Sequence, residues 1–66
     1  MKITKDIYYI ATVKRPVRFF NKNAEEVDNL DEANIFFCKN EAEYEKSTFD
    51  EPEDVEIVEG QIVVDI

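Results

Sequence analysis

The side chains of this chain that could do chemistry are mainly carboxylates, and they concentrate in the stretch TFDEPEDVEIVEG, residues 48–60. A calcium loop would need oxygen ligands at ordered spacing and a glycine for its sharp turn. Pro52 interrupts the run and no glycine lies at the turn, so calcium binding is disfavoured. Two interpretations remain open: a solvated connector, as charge runs usually are, or a contact surface for a basic partner.

The contact-surface interpretation assigns roles to particular side chains. Carboxylates spaced along a loop and a strand would attract a basic protein from a distance and form the rim of the interface. An aromatic side chain of the N-terminal third, Tyr8 or Phe20, would then supply an apolar anchor. The candidate partner-binding residues are therefore Glu51, Glu53, Asp54, Glu56, Glu59, Tyr8 and Phe20.

Other chemistry is limited by the residues that the chain lacks. With no histidine, one cysteine and one glycine, it has no Ser–His or Cys–His nucleophile, no Cys/His zinc site and no glycine-rich phosphate loop. We therefore expect no enzymatic activity, no cofactor and no metal. Cys38 has only Lys39 beside it as an activator, so a packed structural thiol is the favoured interpretation.

The charge is unevenly distributed. The net charge is −8, with +5 over residues 1–22 and −9 over residues 41–66. An acidic chain is repelled by phosphate backbones, which makes nucleic-acid binding an unfavoured alternative. Paired aromatic residues near Lys14, Arg15 and Arg18 nevertheless leave weak single-stranded binding open, although in a domain this small such rings belong mostly to the core.

The length of 66 residues predicts one small domain, residues 1–66, with marginal stability of its own. Small domains of this kind often rely on self-association, so a homodimer is a second hypothesis. A single cysteine and the lack of a signal-peptide pattern favour a cytoplasmic location. No stretch approaches the ~20 apolar residues of a membrane span.

Strand-forming residues predict three strands in the first two thirds of the chain, at about 7–14, 17–21 and 33–38. The first has apolar residues at both alternations, which indicates a strand that is central in a sheet or covered by a partner chain. Asn40, with Glu43 three residues later, resembles a capping box and predicts a helix at about 40–48.

The last segment, DVEIVEGQIVVDI, allows two interpretations. Strands at about 55–58 and 61–65 would form a hairpin around Glu59 and Gly60, which places Val55, Ile57, Ile62 and Val64 on one face. Alternatively, the segment is one long strand with a bulge at Gly60. Either way, the sequence predicts an α+β domain with a mostly antiparallel sheet and one short helix.

The strand motif YYIATVK, the RFF motif, the segment LDEANIFFCKNEAE and the acidic, valine-rich ending resemble small uncharacterised proteins encoded by phages and prophages of low-GC Gram-positive bacteria. The resemblance implies an early gene product that binds and inhibits a host protein, and it assigns no functional residue. The leading hypothesis is therefore a non-enzymatic, acidic protein-binding module. Its alternatives are a homo-oligomeric accessory protein and a weak single-stranded nucleic-acid binder that uses the basic N-terminal third.

Overall fold

A computed structural model describes residues 1–66, and its centre is a pair of long antiparallel strands. The strands are β1 (Lys2–Thr12), β2 (Phe19–Phe20), β3 (Glu26–Val27) and β4 (Val55–Asp65). They form one sheet in the order β3-β2-β1-β4, in which all pairs are antiparallel. With one α-helix packed on this sheet, the predicted α+β class is confirmed. β1 is central, which accounts for its apolar residues at both alternations.

The helix α1 (Lys39–Ser47) begins and ends one residue earlier than predicted, and its predicted cap was wrong. Cys38 is the N-cap and its carbonyl accepts from the N–H groups of Glu41 and Ala42, while no side chain caps the helix. Asn40 lies inside the first turn instead. A backbone bridge between Phe36 and Tyr8 holds the chain on the sheet just before the helix, so tertiary pairing determines where the helix begins.

The strand predicted at 33–38 was wrong: the segment makes only that single bridge. A 3-10 helix (Leu30–Glu32) precedes the bridge and α1 follows it, so the segment has no room for a longer pairing. The strand predicted at 17–21 shortens to the two residues of β2, and β3 was not predicted. A second 3-10 helix (Pro52–Asp54) leads into β4.

Of the two arrangements predicted for the last segment, the long strand is confirmed and the hairpin at 55–58 and 61–65 is wrong, because the segment is one continuous strand. All eleven residues of β4 pair with β1, from Val55 opposite Thr12 to Asp65 opposite Lys2, and the two residue numbers of each pair sum to 67. The register continues through Gly60 without a bulge, and Gly60 has no positive φ. Pairing with β1 gives β4 eleven partners, far more than a hairpin of its own would provide.

This register divides the sheet into two faces. On the helix face, Val55 and Ile57 lie opposite Thr12 and Ile10, and α1 contacts them through the buried Ala42. On the opposite face, here called the open face, Ile7, Tyr9 and Ala11 pair with Gly60, Val58 and Glu56. Only 5 of 66 residues are buried, so the core is thin. They are Ile7, Ile10, Ala11, Ala42 and Val55.

Beyond the Ile7–Gly60 pair the two long strands continue as a ribbon, residues 1–6 with 61–66, which carries no helix. All but one of these residues are exposed, Ile62 being half-buried. The ribbon makes the molecule elongated, with extents of 41 × 23 × 19 Å. None of the helices has the length and apolar character needed to cross a membrane.

Candidate functional site

The outer edge of β4 is the longer of the two edges of the sheet, since β3 at the other edge has only two residues. β4 is the last strand of the sheet and has a neighbour only on its β1 side. Met1 and Ile66 exchange both of their backbone bonds, so in an antiparallel pair the even residues of β4 face β1 and the odd residues face outward. The N–H of Val55 bonds to Pro52. Five residues therefore present both backbone groups at the edge: Ile57, Glu59, Gln61, Val63 and Asp65.

The acidic connector before β4 forms one wall of an open cleft of about 860 Å³. The opposite wall comes from the turn between β1 and β2, with Lys14, Arg15 and Arg18. Asp50, Glu51 and Asp54 thus face the basic side chains of the N-terminal third across the cleft. No ion pair joins the two sets of side chains, but the charge of Lys14 acts to lower the pKa of Glu51.

Arg18 carries the one side-chain ion pair near this cleft. Its Nε lies 3.0 Å from Asp28 Oδ1, although the N–H is not aligned for a hydrogen bond. Asp28 is largely exposed, so the pair contributes little to stability. Arg18 therefore pairs with Asp28 and also lines the cleft.

Glu51 has the most perturbed carboxyl of the cleft. The hydrogen bond that protonated Glu51 can donate to Asp54, together with the negative charges of Asp54 and Glu53, raises the pKa of Glu51, and Lys14 only partly opposes this. A raised pKa means that the protonated form of Glu51 suits the folded state better than the charged form. The charge on Glu51 at neutral pH therefore opposes folding, and this opposition disappears as the pH falls through the raised pKa.

We expect Glu51→Gln to raise the urea midpoint of unfolding at pH 7, because glutamine keeps a hydrogen-bond donor for Asp54 and removes the repulsion. The gain should shrink toward pH 4, where Glu51 itself becomes protonated. Urea unfolding at both pH values measures this, with Glu43→Gln as a control that removes one exposed helix carboxylate. An equal gain for both variants at pH 7 would contradict the role of the Glu51–Asp54 pair.

The other predicted carboxylates do not join a single surface. Glu53 is exposed on the 3-10 helix before β4. Glu56 lies on the open face beside Ala11, whereas Glu59 lies on the helix face beside Tyr8. The structure therefore brings Glu51 and Asp54 together and distributes Glu56 and Glu59 to opposite faces of β4, on either side of its unpaired edge.

The two predicted aromatic anchors are both half-buried. Phe20 packs edge-to-face against Phe49, with ring centroids 4.9 Å apart, so it belongs to the core under α1. Tyr8 is held by its backbone bridge to Phe36, and desolvation followed by the charges of Glu59 and Asp6 raises the pKa of its hydroxyl. Neither ring is free to act as a fully exposed anchor.

Sequence reasoning missed two features of this region. Cys38 is exposed at the start of α1, which corrects the interpretation of a packed thiol. The open face carries exposed apolar side chains along the ribbon, including Ile3 and Val64. The sequence does indicate the second feature. The apolar residues of β4 lie at odd positions before Gly60, at 55 and 57, and at even positions after it, at 62 and 64, so they change face within one strand.

No cluster of three or more Asp, Glu or Cys side chains converges in a way that would hold a metal ion. Comparison of the chain with protein-family models, with curated proteins and with solved structures gives no match, so its function is inferred from its own geometry.

Proposed function

We propose that this protein is a non-enzymatic protein-binding module, and that the outer edge of β4 is its binding site. The observation that carries the proposal is the unpaired backbone of an 11-residue strand at the end of the sheet. Strands exposed in this way accept an added strand from another protein, in which main-chain hydrogen bonds supply affinity and alternating side chains supply specificity.

The charge beside this edge favours a basic partner. Glu56, Glu59 and Asp65 are all exposed members of β4, and Glu53 lies just before it. No lysine or arginine occurs in β4. An added strand with lysine or arginine at alternate positions would meet Glu59 and Asp65 on the helix face, and a basic residue at an intervening position would meet Glu56 on the open face. The net charge of −8 would accelerate its approach.

The resemblance to small phage and prophage proteins supports a specific biological setting for this activity. In that setting the module acts in the bacterial cytoplasm, where it binds and inhibits a basic host protein. The thin core of the isolated chain also suits a protein that gains stability when it binds.

Strand addition is tested by a proline at an outward-facing residue. Gln61→Pro removes an N–H that β1 does not use, so the fold should survive while the edge is interrupted. Gln61→Ala is the matched control, because it removes the same side chain and its bond to Asp6 but keeps the N–H. We expect wild type and Gln61→Ala to capture the same protein from a bacterial lysate, identified by mass spectrometry, and Gln61→Pro to lose it.

Circular dichroism establishes that each bait is folded. Capture that is equal for all three baits would place the binding site away from the β4 edge. Capture that is insensitive to salt between low and physiological ionic strength would contradict a basic partner, because attraction between exposed charges is screened over this range.

Single-stranded nucleic-acid binding has less support as an alternative. Lys14, Arg15 and Arg18, on which it depends, face Asp50, Glu51 and Asp54 across the cleft, so their field is partly cancelled. Self-association is supported by the exposed apolar side chains of the open face, among them Ile3 and Val64.

A further inference from the structure

The open face of the long strands carries an apolar strip that α1 does not cover. Ten large apolar side chains of the molecule are exposed, and six of them belong to this face: Met1, Ile3, Val13, Phe37, Val64 and Ile66. They flank the buried Ile7 and the half-buried Tyr9, Val58 and Ile62 along the same face. A contiguous apolar surface of this kind marks an interaction site.

The strip follows from the pattern of β4. Val55 and Ile57 point to the helix face, where α1 packs, whereas Ile62 and Val64 point to the open face, where no helix lies. The ribbon therefore has an apolar open face, while its helix face is mostly polar, with Thr4, Asp6 and Gln61. An amphipathic ribbon of two strands is stable in water only when its apolar side is covered.

Gly60 lies in the middle of the strip, and its own chain does not require a glycine there. Its φ is not positive, and a Cβ at this position would meet Ile7 and Tyr9 at ordinary contact distances of 3.7 and 3.8 Å. A glycine inside a strand weakens it and often marks a place where another chain approaches closely.

The charges of this face are self-complementary. Among the residues of β1 and β4 that point to the open face, only Lys5 and Glu56 are charged, and Glu56 lies opposite Ala11. Consider a second copy that faces the first across a two-fold axis. The axis lies in the plane between the two sheets, runs perpendicular to the strands, and is centred between the Ile7–Gly60 and Tyr9–Val58 pairs. Lys5 of each copy then lies over Ala11 of the other, within reach of its Glu56.

The same operation matches apolar residues at the two ends. Ile3 of one copy lies over Val13 of the other, and Gly60 lies over Val58. Sheets pack face to face about 10 Å apart, with inner side chains interdigitated. This orientation therefore leaves neither charge of the face unpaired and covers exposed apolar side chains at both ends of the strip.

We infer that the open face binds a second copy of this chain and forms a two-fold symmetric dimer. A standard interface buries about 800 Å² of each partner, about a sixth of the 4993 Å² surface of this chain. Long strands of 11 residues extend about 36 Å, which with the flanking Phe19 and Phe37 supplies a face of this size. The dimer would add a second layer to a thin core and leave the β4 edge free.

Sedimentation velocity across a range of about 1 to 200 µM tests this inference. We expect wild type to shift from monomer to dimer in this range, and Val64→Lys to weaken association by about tenfold or more, because it buries an ammonium in the apolar interface. Val63→Lys is the matched control: it adds the same charge one residue away, on the opposite face, where Val63 is 62% exposed. It should leave the dimer unchanged.

A charge swap tests the orientation. Lys5→Glu and Glu56→Lys should each weaken the dimer, and the double variant should restore it, because each copy then presents the reversed pair to the other. Urea unfolding of the single variants separates weaker association from a weaker fold, since Lys5 also lies 5.9 Å from the Phe37 ring centroid within its own chain.

A wild-type protein that remains monomeric at 200 µM would overturn the dimer, as would equal effects of Val64→Lys and Val63→Lys. Double variants that fail to recover association would overturn the antiparallel arrangement of the copies. The result is independent of strand addition, because Gln61→Pro alters the edge and leaves the open face intact. Loss of capture with Gln61→Pro while the dimer persists would separate the two sites.

Discussion

Replacing Ile10 with alanine is expected to remove a large share of the free energy of unfolding at 25 °C. Ile10 is 3% exposed and lies opposite Ile57 on the helix face, where Phe20, Phe36 and Phe49 surround it. Truncating a buried isoleucine to alanine costs about 2–5 kcal/mol. At roughly 0.05–0.15 kcal/mol per residue, a chain of this length has a stability of about 3–10 kcal/mol, so this one change removes a large share.

Urea or thermal unfolding followed by circular dichroism measures the loss. Val63→Ala is the control, because Val63 also points to the helix face but is exposed on the ribbon. Its effect should stay within about 0.5 kcal/mol. Similar losses for the two variants would mean that the contact between α1 and the sheet contributes little to stability.

Ile62→Pro is expected to have the second largest effect. Ile62 pairs with Lys5, and its N–H points toward β1, so proline removes a bond from the central pair of strands and leaves the carbonyl of Lys5 without its donor. The proline ring also pushes its neighbours out of the pairing. We expect a loss of about 1–3 kcal/mol from the bond alone, and a lower unfolding midpoint.

Gln61→Pro, one residue earlier, should cost much less because its N–H points away from β1. The decisive result is the difference in unfolding midpoint between proline at residue 61 and proline at residue 62. Only these two variants are needed to measure it. Equal destabilisation by both prolines would show that the outward groups of β4 are not free. Destabilisation by Gln61→Pro alone would mean that the odd residues of β4, and not the even ones, make the backbone hydrogen bonds to β1.

The sequence predicted elements well where local chemistry determines them. The helix was placed within one residue at each end, since a polar segment rich in glutamate and lysine has few other structures available. Its cap was misassigned because Asn40 is a good cap by type, whereas the Phe36–Tyr8 bridge fixes the chain two residues before Cys38. Local propensity cannot show a bridge to a distant strand.

The choice between a hairpin and a long strand for residues 55–65 stayed open for the same reason. Val55, Ile57, Ile62 and Val64 are as consistent with a hairpin as with one strand, since the register around Gly60 places all four on one face. What decides is β1, which offers eleven partners from a distant part of the sequence. The apolar residues change from odd to even positions at Gly60, and this change indicates the long strand. In one long strand, Val55 and Ile57 lie on the helix face, whereas Ile62 and Val64 lie on the open face.

The candidate site was predictable in composition and not in geometry. The sequence identifies the carboxylates of residues 50–59 as its acidic surface, yet only the fold places Asp50, Glu51 and Asp54 across a cleft from Lys14 and Arg15. The unpaired edge could not be predicted either, because the position of a strand within a sheet depends on the order of all strands. The fold assigns the edge to β4.

The pairing of β1 with β4 also determines how the chain must fold. The paired residues are separated in sequence by 43 positions at Thr12 and Val55 and by 63 at Lys2 and Asp65. Proteins dominated by such distant contacts fold slowly, in milliseconds to seconds, because the loop must close before the contacts can form. During synthesis, β1 must wait for residues 55–65 to leave the ribosome, so its pairing with β4 cannot form while only the first 54 residues have emerged.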